Sequence, residues 1–243
     1  MANKHIVFTF GRMNPPTTGH SKLINTVHQY AQENGHDHQV IVSHSQDKHK
    51  NPLSSEHKLH YLNHIHPNVH FEASSKEHPH FLAQLKKFHQ QGYKHATMFV
   101  GSDRVEEMKT LAQKYNGPNG EYNFDSLHIK SAGKRDPDAE GVEGMSGTKM
   151  RTHAGNNDFD KFREGLHEKA SDQHAKKLFD AVRNGMGLKE QQQRLSFGAF
   201  LNEQRSSFQT TKIKQHFSEV TLVHTLFLHV KKFQLILHRE LFP

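Results

Sequence analysis

Short runs of β-branched and aromatic residues alternate with stretches whose apolar residues recur every three or four positions, and the alternation continues through Lys130. His5 to Phe10 (HIVFTF) is almost continuously apolar and stops at Gly11, the pattern of a strand buried on both faces. Leu23, Ile24, Val27, Tyr30 and Ala31 then form one stripe of a helix that ends near Gly35. The same reading predicts a strand at Gln39 to Ser43, a short helix near Glu56 to Leu62 and a strand at Val69 to Phe71. Beyond these it predicts a helix carrying Phe81, Leu82, Leu85 and Phe88, a strand at His95 to Val100, a helix from Val105 to about Tyr115 and a strand at Leu127 to Lys130. Strands that alternate with helices of this length form right-handed βαβ units, so the expected fold class is α/β, a Rossmann-like doubly wound parallel sheet with helices on both faces. Ligands of such sheets bind outside the carboxyl ends of the strands, which makes the loops after Phe10 and Val100 the first candidates for a site.

After Arg151 the character changes. Phe159, Phe162 and Leu166, then Leu178, Phe179 and Val182, suggest two helices, Gly185-Met186-Gly187 looks like a stop, and Gln191 to Gln193 reads as a hinge. From Ile213 onward the spacing of Leu222, Leu226, Val230, Phe233, Leu237 and Leu241 suits an amphipathic helix, while Val220 to Val230 suits a strand equally well. The expected organisation is a Rossmann-like α/β domain over 1–155, a helical subdomain over 156–187 and a mainly helical C-terminal extension over 188–243.

Composition narrows the chemistry. The 243 residues contain no cysteine, which excludes disulfides, a thiolate nucleophile and Cys-ligated metal centres. The N-terminus shows no signal-peptide pattern, and no apolar run approaches the roughly 18 residues that span a bilayer, so the sequence predicts a soluble, cytoplasmic protein. Lys and Arg number 32 against 25 Asp and Glu, a net charge of +7 that suits either an anionic ligand or an ordinary solvated surface. Twenty-four histidines are unusual; pairs such as His36/His38, His64/His66 and His78/His80 have a strand-like spacing but no matching third ligand motif, so no metal site is expected.

Two stretches carry chemistry. Gly11 to His20 (GRMNPPTTGH) lies between the first strand and its helix, where a glycine turn and a helix N-terminus present N–H groups to an anion. Met145 to Arg151 (MSGTKMR) begins a helix near Ser146, bringing free N–H groups, two hydroxyls, Lys149 and Arg151 toward one anion. A third stretch, Gly101-Ser102-Asp103-Arg104, follows the most strand-like segment, and there Asp103 suits the N-cap of the next helix.

Thr17-Thr18-Gly19-His20 resembles the [H/T]-x-G-H signature of the nucleotidylyltransferase superfamily, with Thr17 where many members have His. Ser146-Gly147-Thr148 to Arg151 is similar to the S-G-T-x-x-R variant of its second signature, and Gly11 to Pro15 resembles the opening of archaeal-type nicotinamide-mononucleotide adenylyltransferases. The resemblance covers about residues 5 to 155; a segment of the extension, Ser196 to Glu203, looks like C-terminal stretches of phage-encoded proteins. It implies transfer of a nucleoside monophosphate from ATP or CTP to a small phosphorylated acceptor, with Mg²⁺ carried mainly by the triphosphate. It assigns catalysis to His20, Thr17 and Arg151. It assigns nucleotide contacts to Phe10, Gly11, Arg12, Met13, Asn14, Gly19, Gly101, Asp103, Arg104, Ser146, Gly147, Thr148 and Lys149. Alternatives left open are cytidylyl transfer to a phosphorylated alcohol and a non-catalytic nucleotide-binding scaffold of the same fold. No membrane partner is expected, no nucleic-acid motif stands out, and self-association is left open.

Overall fold

The first strand is apolar on both faces because it runs through the middle of the protein. A computed structural model describes residues 4–133 and 145–188, all within one compact unit, Met1–Gln192. β1 (His5–Gly11) pairs in parallel with β2 (Asp37–Val42) on one side and β4 (His95–Val100) on the other. With β3 (Phe71–Ala73) and β5 (Ser126–Ser131) at the edges, the order is β3-β2-β1-β4-β5 and every pairing is parallel. This is the expected Rossmann-like sheet. The strand order reverses between β1 and β4, which makes their carboxyl ends the switch point where sheets of this kind bind ligands.

Alternate residues of β1 feed two cores. Val7, Val40, Val42 and Phe99 face α1 (Thr18–Asn34), α2 (Ser55–Ile65), α5 (Gly147–Gly155), α6 (Phe159–Glu164) and α7 (Asp172–Gly185). Ile6, Phe8, Ile41 and Met98 face α3 (Phe81–Gln90) and α4 (Val105–Lys114) on the opposite side. Phe162, Leu178, Phe179 and Val182 of α6 and α7 lie in the same apolar cluster as Val7 and Ile24. The rings of Phe159 and Phe162 meet Phe179 edge to face at 5.4 and 5.1 Å.

Local signals explain the element ends. Gly35 takes a left-handed conformation (φ 64°) and its N–H bonds back into the last turn, which stops α1 where only glycine does so without strain. Ser54, Asp158 and Ser171 each accept an N–H at the start of their helices. β3 starts two residues later than the sequence suggests: the Val69 N–H is drawn into a turn by the His66 carbonyl at 3.1 Å, so pairing with Val40 begins at Phe71. The hinge at Gln191 to Gln193, the segment Ser196 to Glu203 and the helix or strand from Ile213 onward lie outside the described residues. No helix among the described residues is long and apolar enough to cross a membrane.

The histidines pair across elements. His5 stacks on His36 (4.0 Å between ring centres), His64 on His174 (3.7 Å), and His28 meets His38 (4.8 Å) and His66 meets His167 (5.4 Å) edge-on. Among the described residues no group of three His, Asp or Glu is placed to hold a metal ion. Burial, reinforced by neighbouring His36 and His95, pushes His5 down to about 4; burial, reinforced by His167 and Lys169, does the same to His66. Both groups are therefore neutral in the fold and readily protonated once unfolded. Their contribution to stability is complete above the unfolded value near 6.5 and is lost as pH falls toward 4. Thermal melts are expected to show Tm falling by at least about 5 °C between about pH 7.5 and pH 5, with a shallower slope in the His5→Gln, His66→Gln double variant.

Candidate nucleotide site

β1 delivers the first motif to that switch point. Gly11 is its last residue, and the Gly11 carbonyl accepts the Ser43 N–H (2.9 Å), tying the turn to the end of β2. Phe10 packs against the α3/α4 core, and Arg12 is exposed. Met13 is buried and takes a positive φ of 44°, a conformation that costs an ordinary side chain about 1 kcal/mol or more and persists only where its surroundings enforce it. Across a cis Asn14–Pro15 bond the chain enters α1.

Asn14 is one such enforcer. Its side-chain nitrogen donates to the Leu53 carbonyl (3.0 Å), and its side-chain oxygen accepts the Leu53 N–H (2.9 Å). Both residues are almost fully buried. The amide expected to face a nucleotide is thus spent on the backbone of the loop before α2, while the Asn14 carbonyl points to α5.

Thr17 caps α1, and His20 completes the cap. The Thr17 N–H donates to His20 Nδ1 (3.0 Å), and the Thr17 hydroxyl lies 2.9 Å from the same nitrogen. An Nδ1 that accepts a backbone N–H carries no proton, so the neutral ring is assigned the tautomer with its proton on Nε2. Nε2–H is then the donor that His20 offers. Gly19 is exposed in the first turn, and the Thr18 N–H is taken by the Gly165 carbonyl (3.1 Å). The helix end therefore presents fewer open N–H groups than its sequence suggests.

The second motif docks onto the first. Ser146 is the N-cap of α5 and accepts the Lys149 N–H (3.2 Å). Arg151, one turn on, donates from Nη1 to the Asn14 carbonyl (2.6 Å) and from Nη2 to the Thr148 hydroxyl (3.0 Å). Gly147 faces the same carbonyl: a Cβ there would lie 3.3 Å from Asn14 O and 3.4 Å from Arg151 Nη1, so the close approach of helix and turn uses the missing side chain. Thr148 and Lys149 are exposed at the mouth. Burial and the nearby Arg12 guanidinium pull Arg151 below the usual arginine range, with Asp47 opposing them. Arginine stays charged at any ordinary pH, so Arg12 and Arg151 make this corner strongly positive.

The third motif is adjacent by register. β1 and β4 pair as far as Phe8 and Met98, which brings Gly101 beside the end of β1. Asp103 does not cap the following helix: Gly101 precedes a 3₁₀ turn (Ser102–Arg104), Arg104 precedes α4, and neither start has a side-chain cap. Asp103 is exposed, and Arg104 pairs loosely with Glu107 (3.8 Å). The loop after β2 closes on itself: Asp47 accepts N–H bonds from His49 (2.9 Å) and Lys50 (2.6 Å) and one from the Asn51 side chain (2.6 Å). Those bonds, led by the one from Lys50, hold its carboxyl down near 2.

Sequence reasoning missed Lys58. Its side chain is fully buried beneath the first motif, where Nζ donates to the Arg12 carbonyl (3.2 Å), the Ser43 carbonyl and the Ser43 hydroxyl (3.4 Å). The available signal was its place on the apolar stripe of α2, in line with Tyr61, Leu62 and Ile65.

Residues 8–153, more than half the chain, match the cytidylyltransferase-like family model. No curated protein matches the chain. Asn14→Ala would leave the Leu53 N–H and carbonyl buried without partners, a loss of about 2–3 kcal/mol expected in denaturant melts.

Proposed function

The chain belongs to the cytidylyltransferase-like family of nucleotidyltransferases, and on that footing we propose that it transfers an adenylyl group from ATP to nicotinamide mononucleotide and releases pyrophosphate. The observation that carries this reading is the docking of α5 on the β1–α1 turn through Arg151 and the Asn14 carbonyl. It gathers both motif loops, two helix N-termini and two arginines at one corner of the sheet. The choice of adenylyl transfer and of this acceptor rests on the likeness of Gly11 to Pro15 and of the Ser-Gly-Thr motif to that enzyme type.

The chemistry is an in-line displacement. An oxygen of the acceptor phosphate, already ionised at neutral pH, forms a bond to the α-phosphorus as the bond to the bridging oxygen breaks, and pyrophosphate leaves with the electron pair. No covalent enzyme intermediate and no general base are required, so catalysis is alignment and stabilisation of charge on the leaving oxygens. His20, with its proton held on Nε2, donates to a phosphate oxygen in the transition state. Thr17 holds that ring in place through its N–H. Arg12, Lys149 and Arg151 neutralise the β- and γ-phosphates, and Asp103 takes a ligand hydroxyl. Magnesium arrives as part of the MgATP substrate, coordinated by the triphosphate and water.

Pyrophosphate release measured with ATP and CTP against nicotinamide mononucleotide and several phosphorylated alcohols tests the proposal. Turnover with CTP and an alcohol phosphate alone would assign cytidylyl transfer instead, and nucleotide binding without turnover across the panel would assign a scaffold. His20→Ala is expected to lower kcat at least about a hundredfold and, because it removes the acceptor of the Thr17 N–H, to lower Tm by a few degrees while the variant still melts cooperatively; an unchanged rate removes His20 from the mechanism. Arg151→Ala is expected to weaken MgATP binding by at least about tenfold in calorimetry.

A further inference from the structure

The sharpest oddity of the site is Met13, a buried residue with positive φ in the middle of the phosphate-facing turn. The peptide carbonyls on either side of it are each held by a cation. The Arg12 carbonyl accepts from Lys58 Nζ (3.2 Å) and the Asn14 carbonyl accepts from Arg151 Nη1 (2.6 Å). Lys58 comes from α2 and Arg151 from α5, so the turn is gripped from two helices at once.

Lys58 is an expensive way to hold a carbonyl. A fully buried ammonium loses its hydration, and among the described residues this one meets only neutral oxygens: two carbonyls and the Ser43 hydroxyl. Burial alone lowers its pKa to about 8, with no carboxylate to offset the cost. An apolar residue in line with Tyr61, Leu62 and Ile65 would serve the core of α2 better. What the ammonium supplies instead is three donors at one point, and that point joins the Arg12 carbonyl to the end of β2.

We propose that Lys58 is a positioning residue that, together with Arg151, clamps the backbone on both sides of Met13 and so holds the Gly11–Asn14 turn in the shape that receives the triphosphate. This rests on the reading of that turn as the triphosphate site. Lys58 itself touches no substrate. Its acceptors turn the Arg12 carbonyl inward, which leaves the exposed Arg12 side chain and the N–H side of the turn toward the ligand.

The test uses the full chain carrying Lys58→Met, which keeps the length of the stem and removes the charge and the donors. Amide hydrogen exchange should rise at least about tenfold at Ser43 and Leu53, whose N–H groups are bound to the turn, while Thr97 and Met98 in β4 stay within about threefold of wild type. With whichever triphosphate and acceptor the wild type turns over, KM for the triphosphate should rise at least about tenfold with kcat within about threefold. Uniform loss of protection, unchanged protection, or a loosened turn with unchanged KM each overturns the proposal. Should Lys58→Met not fold, Lys58→Gln carries the same comparison, and failure of both to melt cooperatively overturns a local role. If the wild type turns over no pair, the functional reading fails while the exchange comparison still decides the role of Lys58.

Discussion

The Asn14 carbonyl is where the two halves of the candidate site meet. One lone-pair region of this peptide oxygen takes the Arg151 guanidinium, and the glycine at 147 lets helix α5 come close enough for it to do so. The bond spans 137 positions of sequence. Without it the SGTKMR helix would be a capped surface helix and the GRMNPPTTGH loop an ordinary strand-to-helix turn. With it, positive charge from both converges at the carboxyl end of β1, where the reversal of strand order opens the sheet.

The polar groups beneath that corner are committed. The Asn14 side chain is used by Leu53, the Thr17 N–H by His20, the Thr18 N–H by Gly165 and the Lys58 ammonium by Arg12 and Ser43. Each is a buried or half-buried polar group that would carry a desolvation penalty if left unpaired. Satisfying them holds the turn in one shape without a ligand, as the proposed transfer by alignment requires. The packing behind the turn serves the same end: α7 lies so close to the loop before α2 that a Cβ at Gly185 would overlap the Pro52 carbonyl.

Much of this was legible beforehand. The strand at His95–Val100 and the start of α4 at Val105 stand where periodicity placed them, and Ser146 caps α5 as its hydroxyl predicted. Misreadings arose where a tertiary partner competed with a local signal. Val69 looks like strand, but its N–H is captured by His66; Asp103 looks like a cap, but a 3₁₀ turn intervenes. Histidines that gave no pattern in the sequence beyond their number and spacing stack in pairs between elements, because rings far apart in sequence meet only when strands and helices pack.

By itself the sequence determined the α/β alternation, the parallel sheet that follows from it and the residues of both motifs, because apolar period, helix caps and glycine turns act over a few neighbouring positions. Tertiary structure alone decided which of those residues are spent on holding the scaffold. It turned Asn14 inward to Leu53 and buried Lys58 under the turn. The reason is physical: a buried polar atom must find a partner, and in this protein the partners of those groups come from chain segments that only the folded sheet brings together.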